Sequence, residues 1–206
     1  MNVVNVLGLI VILNSVLVKA EISSKYTVNH YELNAHNLSL LVEKMKKFGP
    51  KSLSNIKIWA SIKWDLDTEF NYRTEKGLCW LDVQNIEVIA KSQLPQWTNI
   101  NTVSYSTKEW WKKFYKFLYD HEQLHFNNVL NGAAVLEKSL ATMNAFDTCK
   151  KTKKEYLRIK NDVLYAIELA DFELDMDSKS EFYSNPELYT PIMALTGIRI
   201  DSGMIP

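Results

Sequence analysis

Tyr119-Asp120-His121-Glu122-Gln123-Leu124-His125 reads H-E-x-x-H inside a long run with helical periodicity. Two histidines four apart on a helix stand one above the other on a single face. That spacing lets both imidazoles hold one Zn²⁺ and puts the glutamate about 100° round the helix, at the rim of the site. The expected roles are His121 and His125 as metal ligands and Glu122 as general base, with the metal polarising a scissile carbonyl. The histidines also fall on an apolar stripe formed by Phe114, Leu118 and Val129. A buried imidazole without a partner is costly, so something on that face must satisfy both. A metal does so directly; a hydrogen-bond network inside the core is the other solution.

Upstream, Ser106 or Thr107 caps this helix, with Glu109 in its first turn. The periodicity continues through Leu130, Val135, Leu136 and Leu140 to about Met143. At ~1.5 Å per residue such a helix exceeds ~50 Å, long enough to invite a kink. Gly132 lies on nearly the same face as His125, where it lets another element approach closely or weakens the helix. After a short connection around Asp147 to Thr152, a last helix is expected from Lys153 to about Leu174. Its stripe is Tyr156, Ile159, Val163, Ile167, Ala170 and Leu174, and the short connection predicts antiparallel packing on the motif helix. The tail after Ser180 reads as irregular.

The first half of the chain reads as sheet. Tyr26 to Tyr31 is a short strand. A helix follows, capped by Asn34 or Asn37, with Leu38, Leu41, Val42, Met45 and Phe48 on one face and Gly49-Pro50 as its stop. Ile56 to Trp64 alternates as a half-buried strand, and Phe70 and Tyr72 suggest a second. Glu75-Lys76-Gly77 is a turn; Leu78 to Ala90 gives one long strand or two with a bend near Gln84-Asn85. Leu94-Pro95-Gln96-Trp97 ends the run, because proline does not suit a central strand. The expected fold class is therefore α+β: a small antiparallel sheet packed on the long H-E-x-x-H helix and a second, antiparallel C-terminal helix.

Composition narrows the setting. The 24 basic and 24 acidic residues cancel, which argues against a general nucleic-acid binder. Val3 to Val18 is apolar and leads to Val18-Lys19-Ala20, a small-residue cleavage site, so residues 1–20 read as a secretory signal peptide. The segment before the apolar run carries no positive charge, and a retained N-terminal anchor is the alternative. Cleavage near Ala20 would leave residues 21–206 as one secreted or periplasmic domain, free of the membrane. Cys79 and Cys149 are the two cysteines, and in an oxidising compartment one disulfide between them is the natural expectation; two reduced cysteines are the other outcome.

A catalytic zinc site usually takes three protein ligands. No histidine follows His125, so a downstream ligand has to be a carboxylate. Counting back from the helix connection sets His121 and His125 opposite roughly residues 168–175, where Glu168, Asp171 and Asp175 share a stripe. Asp171, central among them, is the expected third metal ligand.

Taken together, residues 26–183 resemble a domain-of-unknown-function family of bacterial exported proteins described as predicted secreted zinc-dependent proteases. The resemblance rests on Tyr26-x-Val28, Gly49-Pro50-Lys51, Trp59 and Trp64, Cys79 opening a strand, Leu94-Pro95-x-Trp97, and Trp110 leading into His121-Glu122-x-x-His125. It implies a zincin-like α+β metalloprotease fold, zinc on the two histidines, Glu122 as base and a peptide or protein substrate. The family closes its site with a stretch like Y-D-x-x-T-x-H-G. The match here is Met176 to Tyr183, with Asp177 and Ser180 in place and Phe182 where the histidine belongs. Phenylalanine cannot bind zinc. Either an acid, Glu181 or Asp171 and its neighbours, takes over, or the chain is a catalytically degenerate exported binding protein.

Overall fold

The computed structural model describes residues 20–51 and 58–196. The segment expected to be a signal peptide, up to residue 19, lies outside them, as does the start of the strand expected from Ile56. The class is α+β: a three-stranded sheet and four α-helices in the order β1 (Glu21–Leu33), α1 (Leu38–Phe48), β2 (Ser61–Glu75), β3 (Leu78–Trp97), α2 (Tyr105–Ala141), α3 (Cys149–Ser184) and α4 (Pro186–Thr196). Among the described residues, no helix is long and apolar enough to cross a membrane.

The sheet departs from the expected pattern in strand direction and in the extent of its strands. It is mixed, in the order β1-β3-β2. β2 and β3 form an antiparallel hairpin, whereas β1 runs parallel to β3 from Glu21↔Asn85 to Leu33↔Trp97. Alternating side chains do not encode strand direction. A parallel pair needs a long crossover, and α1 together with β2 supplies it. Phe70 and Tyr72 belong to the same long strand as Trp64. The two-residue turn at Lys76 (φ 53°) and Gly77 (φ 78°) has both residues left-handed, as a tight hairpin requires. The bend expected near Gln84 is a bulge: Glu69 pairs with Asn85 and Phe70 with Val83, so Gln84 is skipped. β3 is the central strand and runs through Pro95. The pairing with β2 reaches only to Ser61↔Gln93, so Pro95 sits where β3 has one strand neighbour, β1, and is an edge on its other side, the setting in which a strand tolerates proline.

α1 matches its sequence bounds. Asn37 Oδ1 accepts from the Leu40 amide at 2.8 Å, and Gly49 closes the helix against the Met45 carbonyl. A Cβ at Gly49 would lie 2.2 Å from the Ile58 carbonyl oxygen, so only glycine fits. α2 starts earlier than expected because Ser104, upstream of the expected caps Ser106 and Thr107, is the N-cap. Its 37 residues run without a break. Gly132 is the point of closest approach to α3: a Cβ there would stand 2.4 Å from Ile167 Cδ1. α3 is longer than expected at both ends, and the tail read as irregular is largely helical as far as Thr196, the last described residue. Phe182, Leu188 and Ile192 bury themselves in the core, and that burial orders a stretch with little intrinsic signal.

The Cys79–Cys149 disulfide joins the start of β3 to the start of α3, with a Cα–Cα distance of 5.1 Å. A β-bridge between Cys79 and Phe146 and a hydrogen bond from Thr152 Oγ1 to the Cys79 carbonyl (3.0 Å) reinforce that corner. Two apolar clusters fill the space between sheet and helices. One gathers Leu33, Leu41, Trp59, Phe114, Leu118 and Phe182; the other gathers Ile86, Val88, Val129, Ala133, Leu136 and Ile167.

Candidate metal centre

Between these clusters α2 turns polar. His121, Glu122 and His125 are 2%, 1% and 6% exposed, between buried Leu118 and buried Val129. α3 runs antiparallel alongside and presents Asp171, Asp175 and Ser178, at i, i+4 and i+7, to the same level.

Three ligand atoms converge. His125 Nε2 lies 3.0 Å from His121 Nε2 and 3.0 Å from Asp175 Oδ1, and His121 Nε2 lies 3.2 Å from the same oxygen. Tetrahedral ligands at ~2.0–2.1 Å from one ion stand roughly 3.3 Å apart, so this triangle fits a single small cation. Two imidazole nitrogens at this distance can share only one proton, whereas a cation takes both lone pairs. Each ring is also held from behind. His121 Nδ1 hydrogen-bonds Ser178 Oγ at 2.8 Å. His125 Nδ1 lies 2.8 Å from Asp171 Oδ1, close enough for an ion pair though too oblique for a well-aligned hydrogen bond. Asp171 is itself anchored by Asn128 Nδ2 at 2.9 Å and Trp64 Nε1 at 3.1 Å. Outer partners that fix each imidazole through its second nitrogen are the usual support of a metal-binding histidine.

The electrostatics are those of a crowded ionic site. Burial disfavours the His125 cation, but Asp171 and Asp175 outweigh it and hold the imidazolium up to about 10. Burial pushes the Asp175 carboxyl up, yet its bonds to His121 and His125 prevail and hold it at about 2. Glu122 goes the other way: burial, with the Asp175 and Asp171 charges against the opposing pull of His125, raises it to about 8. Neither Glu122 oxygen has a hydrogen-bond partner among the described residues. Across the helix from α3, Tyr26 and Ser92 of the sheet share a 2.5 Å hydroxyl hydrogen bond. Burial raises the Tyr26 phenol, and the nearby Glu122 charge adds to that. The Asp175 side chain, 42% exposed, is the open side of the cluster.

His121 and His125 therefore stand together where the H-E-x-x-H spacing puts them. Asp171, the carboxylate expected as third ligand, is one helical turn away and braces His125 from behind; the group that could hold a metal is His121, His125 and Asp175. Glu168 and Glu181 are exposed and take no part in that group. Phe182 is not at the site at all. It is fully buried in the first core, with its ring 5.7 Å from Trp59 and 5.8 Å from Phe117. The D-x-x-T part of the closing pattern meets the site in a register two residues earlier than read from sequence, as Asp175 and Ser178. Ser178 and Asn128 had no sequence signal of their own, and Trp64 stood out as a strand residue rather than as a site residue; Ser178 became findable only once Asp175 was chosen over Asp177. A groove of about 710 Å³ opens beside the centre, starting at Asn128 and Ala170 and running between α2 and α3 towards Met143 and Phe146.

The chain belongs to a bacterial protein family of unknown function, DUF922, whose model matches residues 28–181. No curated protein and no solved structure matches it.

Proposed function

We propose that the protein is an exported zinc-dependent peptidase. The observation that carries this reading is the convergence of His121 Nε2, His125 Nε2 and Asp175 Oδ1 at 3.0–3.2 Å beside the unpartnered carboxylate of Glu122. Zinc held by those three atoms supplies Lewis-acid chemistry, polarising a peptide carbonyl and acidifying water. Glu122 accepts the proton of the attacking water and returns it to the leaving amine nitrogen. In the metal-free chain burial raises its carboxyl to about 8, and the charge of a bound cation would draw it back down, towards the ionised form that a general base needs near neutrality. Asp171 and Ser178 keep the imidazoles in the tautomer that turns Nε2 inward. A substrate backbone can add along β1, which is an outer strand of the sheet among the described residues. The Cys79–Cys149 bond fits an oxidising compartment, in keeping with export.

A second reading has its own support. Glu122 is only 1% exposed, which suits a closed, metal-stabilised binding domain as well as an enzyme. Glu122→Gln separates the two. With zinc added, the wild type should cleave a mixed peptide library. The variant should keep its metal and lose about 10²–10⁴-fold in rate. A zinc-loaded wild type that cleaves nothing, with a variant indistinguishable from it, assigns the protein to the binding class.

A further inference from the structure

One end of the molecule gathers positive charge and exposed aromatic surface. The Cys79–Cys149 disulfide ties the β2–β3 turn to the first turn of α3, so the hairpin tip and the start of α3 form one surface. Residues 72–82 and 142–154 carry six bases (Arg73, Lys76, Lys150, Lys151, Lys153, Lys154) against three acids (Glu75, Asp82, Asp147). Two of the acids are taken up locally, Glu75 by Arg73 and Asp147 by Lys151. Lys76, Lys150, Lys153 and Lys154 are exposed and have no ion pair among the described residues. Tyr72, Leu78 and Trp80 are exposed on the same hairpin, with Arg73 over the Trp80 ring at 5.5 Å.

A basic patch alone does not name its partner; the path of the chain does. β1 runs parallel to β3 and begins at Glu21↔Asn85, so it is traversed away from the hairpin turn. Ala20, the first described residue, lines one hollow with Arg73 and Trp80. The apolar run Val3 to Val18, which reads as a leader, therefore joins the fold at this same end. A leader sits in a bilayer until it is cut, so the end that it joins is the end that meets lipid. Lysine and arginine there suit anionic headgroups, and tryptophan and tyrosine suit the boundary between headgroup and acyl chain.

We infer that this end, the hairpin tip together with the start of α3, is a docking surface for an anionic bilayer. The surface remains after cleavage near Ala20, so the mature chain is peripheral to the membrane rather than free of it. α2 carries the histidine belt back from this surface by roughly 25 Å along its axis, at ~1.5 Å per residue from Thr142 to His125.

The test is co-sedimentation of the purified chain, as the producing cell leaves it, with two kinds of vesicle: phosphatidylcholine alone, and phosphatidylcholine mixed with phosphatidylglycerol. Adding phosphatidylglycerol should raise binding at least about 10-fold, and 1 M salt should abolish that rise. Lys150→Glu/Lys153→Glu/Lys154→Glu should bind the mixed vesicles no better than phosphatidylcholine alone. Glutamates near the start of α3 suit the helix dipole, so this variant should melt with the wild type. Lys150→Gln/Lys153→Gln/Lys154→Gln, which removes the charge without reversing it, should lose most of the rise. Lys46→Glu/Lys47→Glu, in the last turn of α1 beyond the far end of β1, should keep it. Trp80 is the exposed one of the six tryptophans. Brominated acyl chains should quench it in the bound chain, and Trp80→Phe should remove the quenching. A chain that binds neither vesicle, or binds both alike, overturns the inference. So does a rise that survives the α3 reversals or is lost equally in Lys46→Glu/Lys47→Glu, and so does a bound chain whose Trp80 is not quenched.

Discussion

α2 crosses three environments on one face. Phe114 and Leu118 enter the first apolar cluster, and Val129, Ala133, Leu136 and Leu140 enter the second. Between them His121, Glu122 and His125 are as deeply buried as their apolar neighbours. The apolar segments gain from leaving water, about 1.5–3 kcal/mol for each large side chain. The polar belt gains nothing of that kind and requires Asp171, Asp175 and Ser178 to offset its desolvation. Leucines there would pack as the flanking turns do. Burial alone stabilises the core, whereas the belt depends on its polar partners, so the two should respond differently to mutation, pH and metal.

The largest expected effect lies in the core. Phe182→Ala removes a fully buried ring that touches Trp59, Phe114 and Phe117. It should destabilise by about 3–5 kcal/mol in urea titration, with or without zinc. Zinc affinity should be little changed, since Phe182 lies outside the belt. A Phe182→His variant that gained metal instead would break the division between the two regions.

Glu122→Gln should act with the opposite sign in the chelator-stripped protein. The folded-state carboxyl is raised from about 4.5 to about 8 by burial, so the folded protein holds the proton more tightly than the unfolded chain. Its contribution is intact below about pH 4.5 and lost as pH rises through about 8. Wild type and variant should therefore be equally stable at pH 4, while at pH 8 the variant should be more stable by about 1–3 kcal/mol. Equal stability at both values would mean that water reaches Glu122.

Smaller still is Ser178→Ala. Its hydroxyl orients His121 without touching the converging atoms. The change should cost about 1 kcal/mol in the stripped protein. It should weaken zinc binding about 10-fold, read by competition with a chelating dye.

The sequence carried the local parts of this account and missed those that depend on direction or register. The H-E-x-x-H face, the Gly49 end of α1 and the Lys76-Gly77 turn follow from residue type and short spacing, the cap of α1 was narrowed to Asn34 or Asn37, and the Cys79–Cys149 pairing follows from there being two cysteines. Strand direction does not, because Tyr26 and its neighbours alternate alike in a parallel or an antiparallel pair. Nor does the order of the C-terminal segment, whose α-helix is held by long-range burial of Phe182 and Leu188. Counting back from the helix connection reached the stretch of α3 that holds both Asp171 and Asp175, but a helical turn separates them, and Asp175 is the one whose carboxylate lies at 3.0–3.2 Å from both histidine Nε2 atoms. The extra residues at the start of α3, which begins at Cys149, are enough to shift such a count.

The central claim is that Asp175 completes a metal centre and Asp171 supports it. Metal per chain by elemental mass spectrometry, after dialysis against limiting zinc, tests it directly in the wild type, Asp175→Ala, Asp171→Asn and His121→Ala. The wild type should hold about one zinc per chain. Asp175→Ala and His121→Ala should hold essentially none, and Asp171→Asn should bind about 10–100-fold more weakly while still reaching one at excess zinc. A wild type without metal, or an Asp175→Ala variant as fully loaded as the wild type, would contradict the account.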